Sequence, residues 1–384
     1  MFEFRVIAED PESMARAGEF VTPRGVVETP VFMPVGTQAT VKTLAPSDLH
    51  EIGAEIILAN AYHLYLRPGA DTIRRAGGIH RFMGWDRAVL TDSGGFQIFS
   101  LTGLTRATDD GLEFQSHLDG SRHFMTPEDN VRIQRDIGAD VIMALDECVG
   151  YPAPRTQASR SSELTIRWAE RALATWRERP SEQALFGIVQ GATYADLRRD
   201  AGRAIAGMDF PGYAVGGLAV GEPVGIMREM VDVVVQELPS DRPRYFMGQG
   251  FPEDIVASVG QGIDMFDCVM PTRNARKGSV FTSSGRLVVK NAAYADDPAP
   301  LDPECSCYAC RTFSRSYIRH LFQAEEMLAG RLATLHSLTF YATMMRKMRS
   351  AIVNGEFGRW RRDFLEKRED GTGDRFARAV ENAS

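Results

Sequence analysis

The chain has 384 residues, 44% of them hydrophobic and 25% charged, which excludes a disordered protein and allows a substantial buried core. Its formal net charge of -7 argues against binding nucleic acid through overall charge, so any such site must be a local basic patch. The N-terminus lacks a basic stretch followed by an apolar run, and no run of about 18 apolar residues occurs, so we expect a cytoplasmic protein without a membrane segment.

Apolar runs of strand length recur along the chain, and each ends in glycine or polar residues. Eight of them lie at residues 31–36, 55–60, 88–95, 140–147, 184–191, 213–221, 244–250 and 264–271. Helical patterns lie between them. The clearest can be capped by Thr126, has Pro127 in its first turn and ends at Gly138. Further helices are expected at residues 156–178, 193–206, 223–237 and 252–261.

Alternating strands and helices predict a parallel sheet, and eight such units predict a (β/α)8 TIM barrel of the α/β class. Catalytic groups of such barrels lie at the carboxyl ends of the strands. An open, doubly wound sheet is the alternative, but neither Gly-rich phosphate-binding fingerprint is present. The first 30 residues are expected to form a hairpin that covers one end of the barrel.

After residue 278 the alternation stops, and a hairpin turning at Ser284–Gly285 is expected. Three of the five cysteines follow within six residues: Cys305, Cys307 and Cys310. This spacing indicates a closed, structural zinc site rather than a disulfide framework, with a fourth ligand from a later helix. His320 and His336 both qualify, and their spacing does not choose between them.

These observations predict four segments. Residues 1–30 form the N-terminal hairpin, 31–278 the barrel with the active site, 279–345 a zinc-binding helical subdomain, and 346–384 a C-terminal helix and frayed tail packed on the barrel.

Two carboxylates at strand ends are the candidate catalytic groups. Asp92 follows the third strand and precedes a Ser-Gly-Gly turn, and Asp267 lies in the apolar context of the eighth strand, where an unpaired carboxylate is costly. Such a pair suits glycosyl transfer, in which one group attacks the anomeric carbon and the other handles protons. Acidic residues that merely cap helices or hold arginines are the structural alternative.

Other polar groups at strand ends suggest a pocket for a purine. Asp146 and Gln190 offer acceptors and donors for a base edge, and the Gly216–Glu222 segment offers backbone amides for a carbonyl oxygen. Basic residues cluster after the eighth strand, either as a phosphate-binding patch or as a solvated surface. They are Arg273, Arg276, Lys277, Arg286 and Lys290, followed by Arg311, Arg315 and Arg319.

Six separated motifs together resemble bacterial tRNA-guanine transglycosylase, the queuine tRNA-ribosyltransferase family. They are TDSGGFQ, ALDECVGYP, GIVQG, AVGGLAVGE, GIDMFDCVMPTRNAR and C-x-C-x2-C-x25-H, in the family's order over nearly the whole chain. The resemblance implies a pentosyltransferase of queuosine biosynthesis that exchanges the wobble guanine of tRNA for 7-aminomethyl-7-deazaguanine. Asp267 would form a covalent ribosyl-aspartate tRNA intermediate, and Asp92 would be the general acid/base.

The resemblance also assigns binding residues. The base pocket would comprise Asp146, Gln190 and the Gly217–Leu218 backbone, with Phe96 and Met247 on the two faces of the ring. Arg273 and Arg276, with the neighbouring Lys277, would contact tRNA, and His336 would complete the zinc site with Cys305, Cys307 and Cys310. A homodimer acting on the tRNAs for Asp, Asn, His and Tyr is the family expectation.

Some positions separate the branches of the family. Val220 and Cys148 match the bacterial pattern and favour the aminomethyl precursor, whereas Gln249, Phe251 and Lys277 depart from it. Three alternatives stay open: a catalytically silent partner subunit of the same family, a zinc-dependent barrel hydrolase, and the archaeal-type exchange at another tRNA position. Both aspartates argue against the first, and the chain length leaves no room for the RNA-binding domains of the third.

Overall fold

The structure, a computed structural model, describes residues 2–101, 105–179 and 182–371. Its strands are β1 (Glu3–Glu9), β2 (Arg16–Thr22), β3 (Gly25–Thr29), β4 (Val31–Met33), β5 (Ile56–Asn60), β6 (Ala88–Asp92), β7 (Thr105–Ala107), β8 (Leu112–Gln115), β9 (Arg122–Met125), β10 (Val141–Met143), β11 (Ala184–Val189), β12 (Gly212–Val215), β13 (Arg244–Phe246), β14 (Met265–Asp267), β15 (Ser279–Thr282) and β16 (Gly285–Val288).

The helices are α1 (Pro46–Ile52), α2 (Ala61–Leu66), α3 (Ala70–Arg75), α4 (Ile79–Met83), α5 (Gly95–Leu101), α6 (Pro127–Ile137), α7 (Arg155–Arg177), α8 (Ala195–Ala206), α9 (Val224–Val235), α10 (Pro252–Gly260), α11 (Met270–Arg276), α12 (Tyr308–Thr312), α13 (Arg315–Gln323), α14 (Met327–Val353) and α15 (Phe357–Gly371), with a 3₁₀ turn at Ala292–Tyr294. No helix within the described ranges is long and apolar enough to cross a membrane.

Eight parallel strands form the central sheet, in the order β4-β14-β13-β12-β11-β10-β6-β5. A parallel bridge between Val35 and Leu58 joins the two ends of this order and closes the barrel. Each of the eight predicted strands is present, so the TIM-barrel prediction is confirmed and the open-sheet alternative is wrong.

Side-chain alternation along the strands separates two layers of core. In β5, Ile56 and Leu58 pack inside the barrel, whereas Ile57 and Ala59 pack outward against the helices. The strands are buried on both faces, which explains why they read as continuous apolar runs rather than as an alternating pattern.

The N-terminal segment closes the amino-terminal end of the barrel. The predicted hairpin is β2–β3, and β1 pairs with β2 to extend it to a three-stranded antiparallel sheet. Phe20 and Val27 belong to the interior cluster of the barrel, and Phe2 lies between Phe20 and Phe186 with ring centroids 5.5 and 5.8 Å away. The sheet therefore acts as a hydrophobic plug.

The predicted helices are present as α6 to α10. Thr126 caps α6 by accepting from the backbone of Asp129, whose side chain accepts from Thr126 in return, and Gly138 ends the helix with φ +82°. Sequence analysis missed α2, α3 and α4 between β5 and β6, and the antiparallel sheet β7–β8–β9 between α5 and α6.

The C-terminal part begins with the predicted hairpin, β15–β16, and is organised around α14. Arg349 on α14 donates to the carbonyls of Gly18 and Thr29, both at 2.7 Å, and Tyr341 packs on Phe32 of β4. The division of the chain at residues 30, 278 and 345 stays a prediction, and α14 runs through residue 345. Residues 372–384 of the expected frayed tail lie outside the described residues.

Candidate active site

The loops at the carboxyl ends of the barrel strands surround a cavity of about 360 Å³. Pockets of this size hold small molecules such as a single base. Most of the predicted site residues line it, namely Asp92, Phe96, Asp146, Gly217, Leu218, Met247 and Asp267. The exception is Gln190, which lies behind Asp146.

Asp92 ends β6 beside Asn60, which ends β5 and is its direct neighbour in the strand register. Asn60 Nδ2 donates to Asp92 Oδ2, and the backbone N–H of Ala61 donates to Oδ1 at 3.0 Å. Burial raises the pKa of Asp92 to about 7, against the two hydrogen bonds that lower it. The negative charges of Asp267 and Asp146 raise it further. Asp92 can therefore both give and take a proton near neutral pH.

Asp267 ends β14 and is held through one oxygen. Its Oδ1 accepts from the hydroxyl of Tyr245 at 2.6 Å and from the backbone N–H of Gly248 at 2.9 Å. Among the described residues no hydrogen bond ends on Oδ2, and Asp267 is partly exposed to the cavity. Burial raises its pKa, opposed by the Tyr245 and Gly248 hydrogen bonds. The arrangement fixes the carboxylate and leaves one oxygen available for chemistry.

Asp146 follows β10 and is buried among neutral donors. Ser93 Oγ donates to its Oδ1 and Gln190 Nε2 to its Oδ2, each at 2.7 Å. Burial raises the pKa of Asp146, and these two hydrogen bonds lower it. Gln190 therefore holds Asp146, which lines the cavity, and does not line the cavity itself. Its Oε1 has no hydrogen-bond partner among the described residues.

Two glycines after β12 form one wall of the cavity. A Cβ on Gly217, whose φ is +63°, would come within 2.1 Å of Gln190 Oε1, so a side chain cannot be accommodated there. The following turn is held by buried Glu222, which accepts from the N–H groups of Ala219 at 2.6 Å and Val220 at 3.0 Å. The glycine pair therefore brings backbone, not side chain, to the ligand.

The remaining predicted positions divide into two groups. Cys148 and Val220 line the cavity with Phe96 and Met247. Gln249 and Phe251 do not. Gln249 Oε1 accepts from the N–H groups of Gly250 and Phe251, and Phe251 packs on the core beside Phe281. The departures at 249 and 251 therefore shape the loop rather than the cavity.

Asn60 and Tyr245 hold the two candidate catalytic carboxylates, and sequence analysis did not single them out. Asn60 could have been found, because it is a polar residue at the carboxyl end of a barrel strand. Tyr245 gives no such signal, since a tyrosine in a buried strand is usual for a core.

Of the basic residues predicted to contact RNA, Arg273 and Arg276 lie on α11, which follows the strand that carries Asp267, and Lys277 caps the end of this helix. Arg273 and Lys277 are exposed, and Arg276 is partly buried. Burial lowers the pKa of Arg276, and the neighbouring Arg273 lowers it further. The patch begins four residues after Val269, which lines the cavity, and its role stays a prediction.

A second cluster unites the three predicted cysteines with His336, and all four ligand atoms lie within 4.8 Å of one another. His336 Nδ1 lies 3.2 Å from Cys310 Sγ and 3.9 Å from Cys307 Sγ. Its other nitrogen, Nε2, lies 3.0 Å from the carbonyl oxygen of Phe281. His320 is exposed on α13 and does not belong to the cluster. These four residues can hold a metal ion.

The donor set fits a tetrahedral metal. Ligand atoms about 2.0–2.3 Å from a common tetrahedral centre lie about 3.3–3.8 Å apart, close to the two sulfur–nitrogen distances here. A carbonyl oxygen can only accept, so the contact with Phe281 places the imidazole hydrogen on Nε2. Nδ1, which faces the sulfurs, then has its lone pair free to bind a metal. The hairpin β15–β16 is thereby tied to α14.

The chain is similar to known proteins along almost its whole length. A family model described as Queuine tRNA-ribosyltransferase matches residues 10–370. The protein named queuine tRNA-ribosyltransferase from Thermoanaerobacter pseudethanolicus is 55% identical over 365 residues, covering 95% of this chain and 97% of its own. Its namesake from Caldanaerobacter subterraneus is 56% identical with the same coverage, and that from Symbiobacterium thermophilum is 55% identical over 376 residues, 98% of this chain and 94% of its own.

Proposed function

Because this chain belongs to the queuine tRNA-ribosyltransferase family, we propose that it is a tRNA-guanine transglycosylase that replaces guanine at the wobble position of tRNA. The observation that carries the proposal is the placement of Asp92 and Asp267 on one cavity with different hydrogen-bonding partners. A zinc-dependent hydrolase is disfavoured, because its metal would need an open coordination position and the four-ligand cluster leaves none.

In the proposed first step, Asp267 Oδ2 attacks C1′ of the ribose. The bond from C1′ to the purine nitrogen breaks, its electron pair goes to the purine, and the purine takes a proton from Asp92. In the second step the incoming base gives a proton to Asp92, and its nitrogen attacks C1′ and releases the Asp267 carboxylate. Such double displacement replaces one difficult step by two easier ones and requires no further co-substrate.

We assign the incoming base as 7-aminomethyl-7-deazaguanine. Asp146 would accept from the N–H groups of the purine edge, and the Gly217–Leu218 backbone would face its carbonyl oxygen. Phe96 and Met247 would lie on the two faces of the ring. Val220 and Cys148 reduce the space beside the base, which supports the small aminomethyl substituent over a bulkier one.

The proposed partners are a metal ion, tRNA and a second copy of the chain. The metal is zinc, bound by Cys305, Cys307, Cys310 and His336 in a structural role, because four protein ligands leave no position for substrate. The tRNA substrates are those for Asp, Asn, His and Tyr, the enzyme is a homodimer, and the compartment is the cytoplasm. Arg273, Arg276 and Lys277 contact tRNA beside the target nucleotide, as their place next to Asp267 supports.

Radiolabelled guanine exchange into unmodified tRNA with a wobble guanosine tests the function. We expect the wild type to incorporate label, 7-aminomethyl-7-deazaguanine to compete, and Asp267→Asn to lose exchange by at least about 10³-fold because the nucleophile is removed. The variant is expected to fold and to retain its metal. A covalent tRNA adduct trapped from wild type and absent from Asp267→Asn would identify the nucleophile.

Two outcomes would contradict the proposal. An adduct that persists in Asp267→Asn would remove the nucleophile assignment. Absence of exchange by folded, metal-loaded wild type would instead favour the catalytically silent partner subunit.

A further inference from the structure

Arg198 on α8 is a fully buried arginine directly behind the glycine wall of the cavity. Its guanidinium donates to four backbone carbonyls and, within the described residues, to no side chain. Nη1 donates to Gly216 at 2.7 Å and Val189 at 3.1 Å, Nη2 to Gly217 at 3.1 Å, and Nε to Ala192 at 2.8 Å. One side chain therefore ties together the loops that follow β11 and β12.

The charge of Arg198 is not neutralised by contact. No salt bridge to it occurs within the described residues, and Glu222 acts on it only through space. Burial lowers the pKa of Arg198 to about 10, so the group stays protonated at neutral pH. A buried cation without a paired anion is costly unless its N–H groups are satisfied, and in Arg198 the four backbone carbonyls satisfy them.

The hydrogen bonds of Arg198 fix which way two peptide groups face. The peptides that follow Gly216 and Gly217 are trans, so each N–H points opposite to its carbonyl. Because both carbonyls point to the guanidinium, the N–H groups of Gly217 and Leu218 point away from it. Neither N–H has an acceptor among the described residues, and both residues line the cavity.

We propose that Arg198 is a positioning residue for base exchange, which orients and polarises the two peptide groups that face the carbonyl oxygen of the purine. The inference rests on the proposed binding of a purine in this cavity. As the bond to C1′ breaks, its electron pair enters the purine, and the carbonyl oxygen carries part of the negative charge. Two preoriented N–H donors, backed by a buried positive charge, stabilise that charge without reorganisation.

A second buried arginine provides a matched control for a purely structural role. Arg244 begins β13 at the opposite end of the barrel and donates to the carbonyls of Leu238 at 3.0 Å and Pro239 at 3.2 Å. Burial lowers its pKa to about 10 as well. Arg198 and Arg244 therefore share burial and charge, and differ in their distance from the cavity wall.

The test compares Arg198→Met, Arg198→Lys and Arg244→Lys in guanine exchange. The KM for guanine, the KM for tRNA and kcat are measured, together with the inhibition constant of 2-aminopurine, which lacks the 6-oxygen of guanine. For Arg198→Met, which loosens the two N–H donors without removing them, we expect kcat/KM for guanine to fall by about 10-fold to 10²-fold, up to the effect of losing one oxyanion donor. Arg198→Lys keeps the charge with fewer donors and should recover part of that loss.

The discriminating result is a loss confined to the base that carries the oxygen. In the Arg198 variants the KM for tRNA and the inhibition constant of 2-aminopurine should stay within about twofold of wild type. Arg244→Lys should change thermal stability and none of these constants. Should Arg198→Met fail to fold, the same comparison on Arg198→Lys decides.

Equal losses for guanine and 2-aminopurine, or an unchanged kcat/KM for guanine, would overturn the inference while leaving base exchange intact. Absence of exchange in the wild type would instead overturn the proposed function, so the two failures are distinguishable.

Discussion

Asp92 and Asp267 differ in which of their oxygens are engaged. Asp92 has both oxygens hydrogen-bonded, by Asn60 and the Ala61 backbone, and its pKa of about 7 suits proton transfer. Asp267 is held through Oδ1 by Tyr245 and the Gly248 backbone, which aims the other oxygen. These environments support the separate roles proposed for the two carboxylates, Asp92 in proton transfer and Asp267 in forming the bond to carbon.

The hydrogen bond from Asn60 should set the pH dependence of the first step. It stabilises the ionised form of Asp92, so Asn60→Ala should raise the pKa of Asp92 above about 7. Since the first step needs protonated Asp92, kcat/KM for tRNA should fall as pH rises through this pKa, with a higher midpoint in the variant. A hydrogen bond to a charged group is worth about 1.5–3 kcal/mol, which corresponds to a shift of about one unit or more.

Asn130→Ala serves as the control for that profile. Asn130 is a buried amide that donates to the Ser93 carbonyl and contacts neither catalytic carboxylate. Its removal should leave the midpoint at the wild-type pH. A midpoint that moves equally in both variants, or that moves down in Asn60→Ala, would contradict the role given to Asn60.

The raised pKa of Asp92 should also cost stability. The unfolded carboxyl titrates near pH 3.9, so the penalty is absent below that pH and grows as pH rises towards the folded pKa of about 7. Asp92→Asn, which removes the charge, should therefore raise the melting temperature above that of wild type at pH 8, and much less at pH 4. The gain at pH 8 is about 2–4 kcal/mol, at about 1.36 kcal/mol per unit.

Asp264→Asn is the contrasting variant. Asp264 is buried and paired with Arg16, with Nε at 2.9 Å and Nη2 at 2.6 Å. Breaking this pair should destabilise the protein by about 3–5 kcal/mol. Melting curves that show Asp92→Asn losing stability at pH 8 would count against the proposed burial penalty.

At the residue scale, sequence reasoning found the groups that motifs mark and missed those that only packing reveals. Asp92 and Asp267 could be predicted to lie at strand ends, because the barrel places such residues together. Arg198 could not be predicted, since an arginine in an amphipathic helix is usually a surface residue, and its carbonyl partners lie in two separate loops that only the fold brings to it. The roles assigned to the pocket residues stay predictions.

At the scale of elements, the barrel strands were predictable because burial on both faces makes each of them a compact apolar run. The sheet β7–β8–β9 was not, because its strands have three or four residues and carry exposed charges such as Arg106 and Arg122. The N-terminal hairpin was predicted, whereas β1 was not singled out, because its residues alternate between exposed and half-buried and none is fully buried.

The metal cluster joins α12, α14 and the hairpin β15–β16, and the next prediction tests it. His336→Ala should release most of the zinc and lower the melting temperature, because metal binding to such a site contributes directly to folding. His320→Ala, on the exposed face of α13, should retain the zinc content and stability of wild type. Zinc is measured by atomic absorption and stability by calorimetry.

Chelation provides the converse experiment. Wild type stripped of zinc should have the melting temperature of the His336→Ala variant. A chelator should change the melting temperature of that variant little. If His320→Ala lost its zinc instead, the ligand set drawn from the cluster would be wrong.

At the scale of the whole molecule, the two ends of the barrel are built for different tasks. The amino-terminal end is plugged by the sheet β1–β2–β3, and the carboxyl-terminal end is open and holds the cavity. The basic residues of α11 border the open end, although the chain as a whole has a net charge of -7. An acidic protein can bind a polyanion only where its cations are concentrated and close to the substrate.

This polarity predicts where salt should act. Lys277 is exposed at the end of α11, and Arg24 is exposed in the turn between β2 and β3 at the plugged end. Lys277→Gln should weaken tRNA binding and reduce the slope of log K against log salt by about one, because one phosphate contact is lost. Arg24→Gln changes the net charge equally, so it should leave the slope unchanged if local placement governs binding. Filter binding from 50 to 200 mM salt measures both variants, since over this range a protein with several phosphate contacts loses affinity by about 10³-fold or more. Equal effects of the two variants would show that overall charge governs tRNA binding.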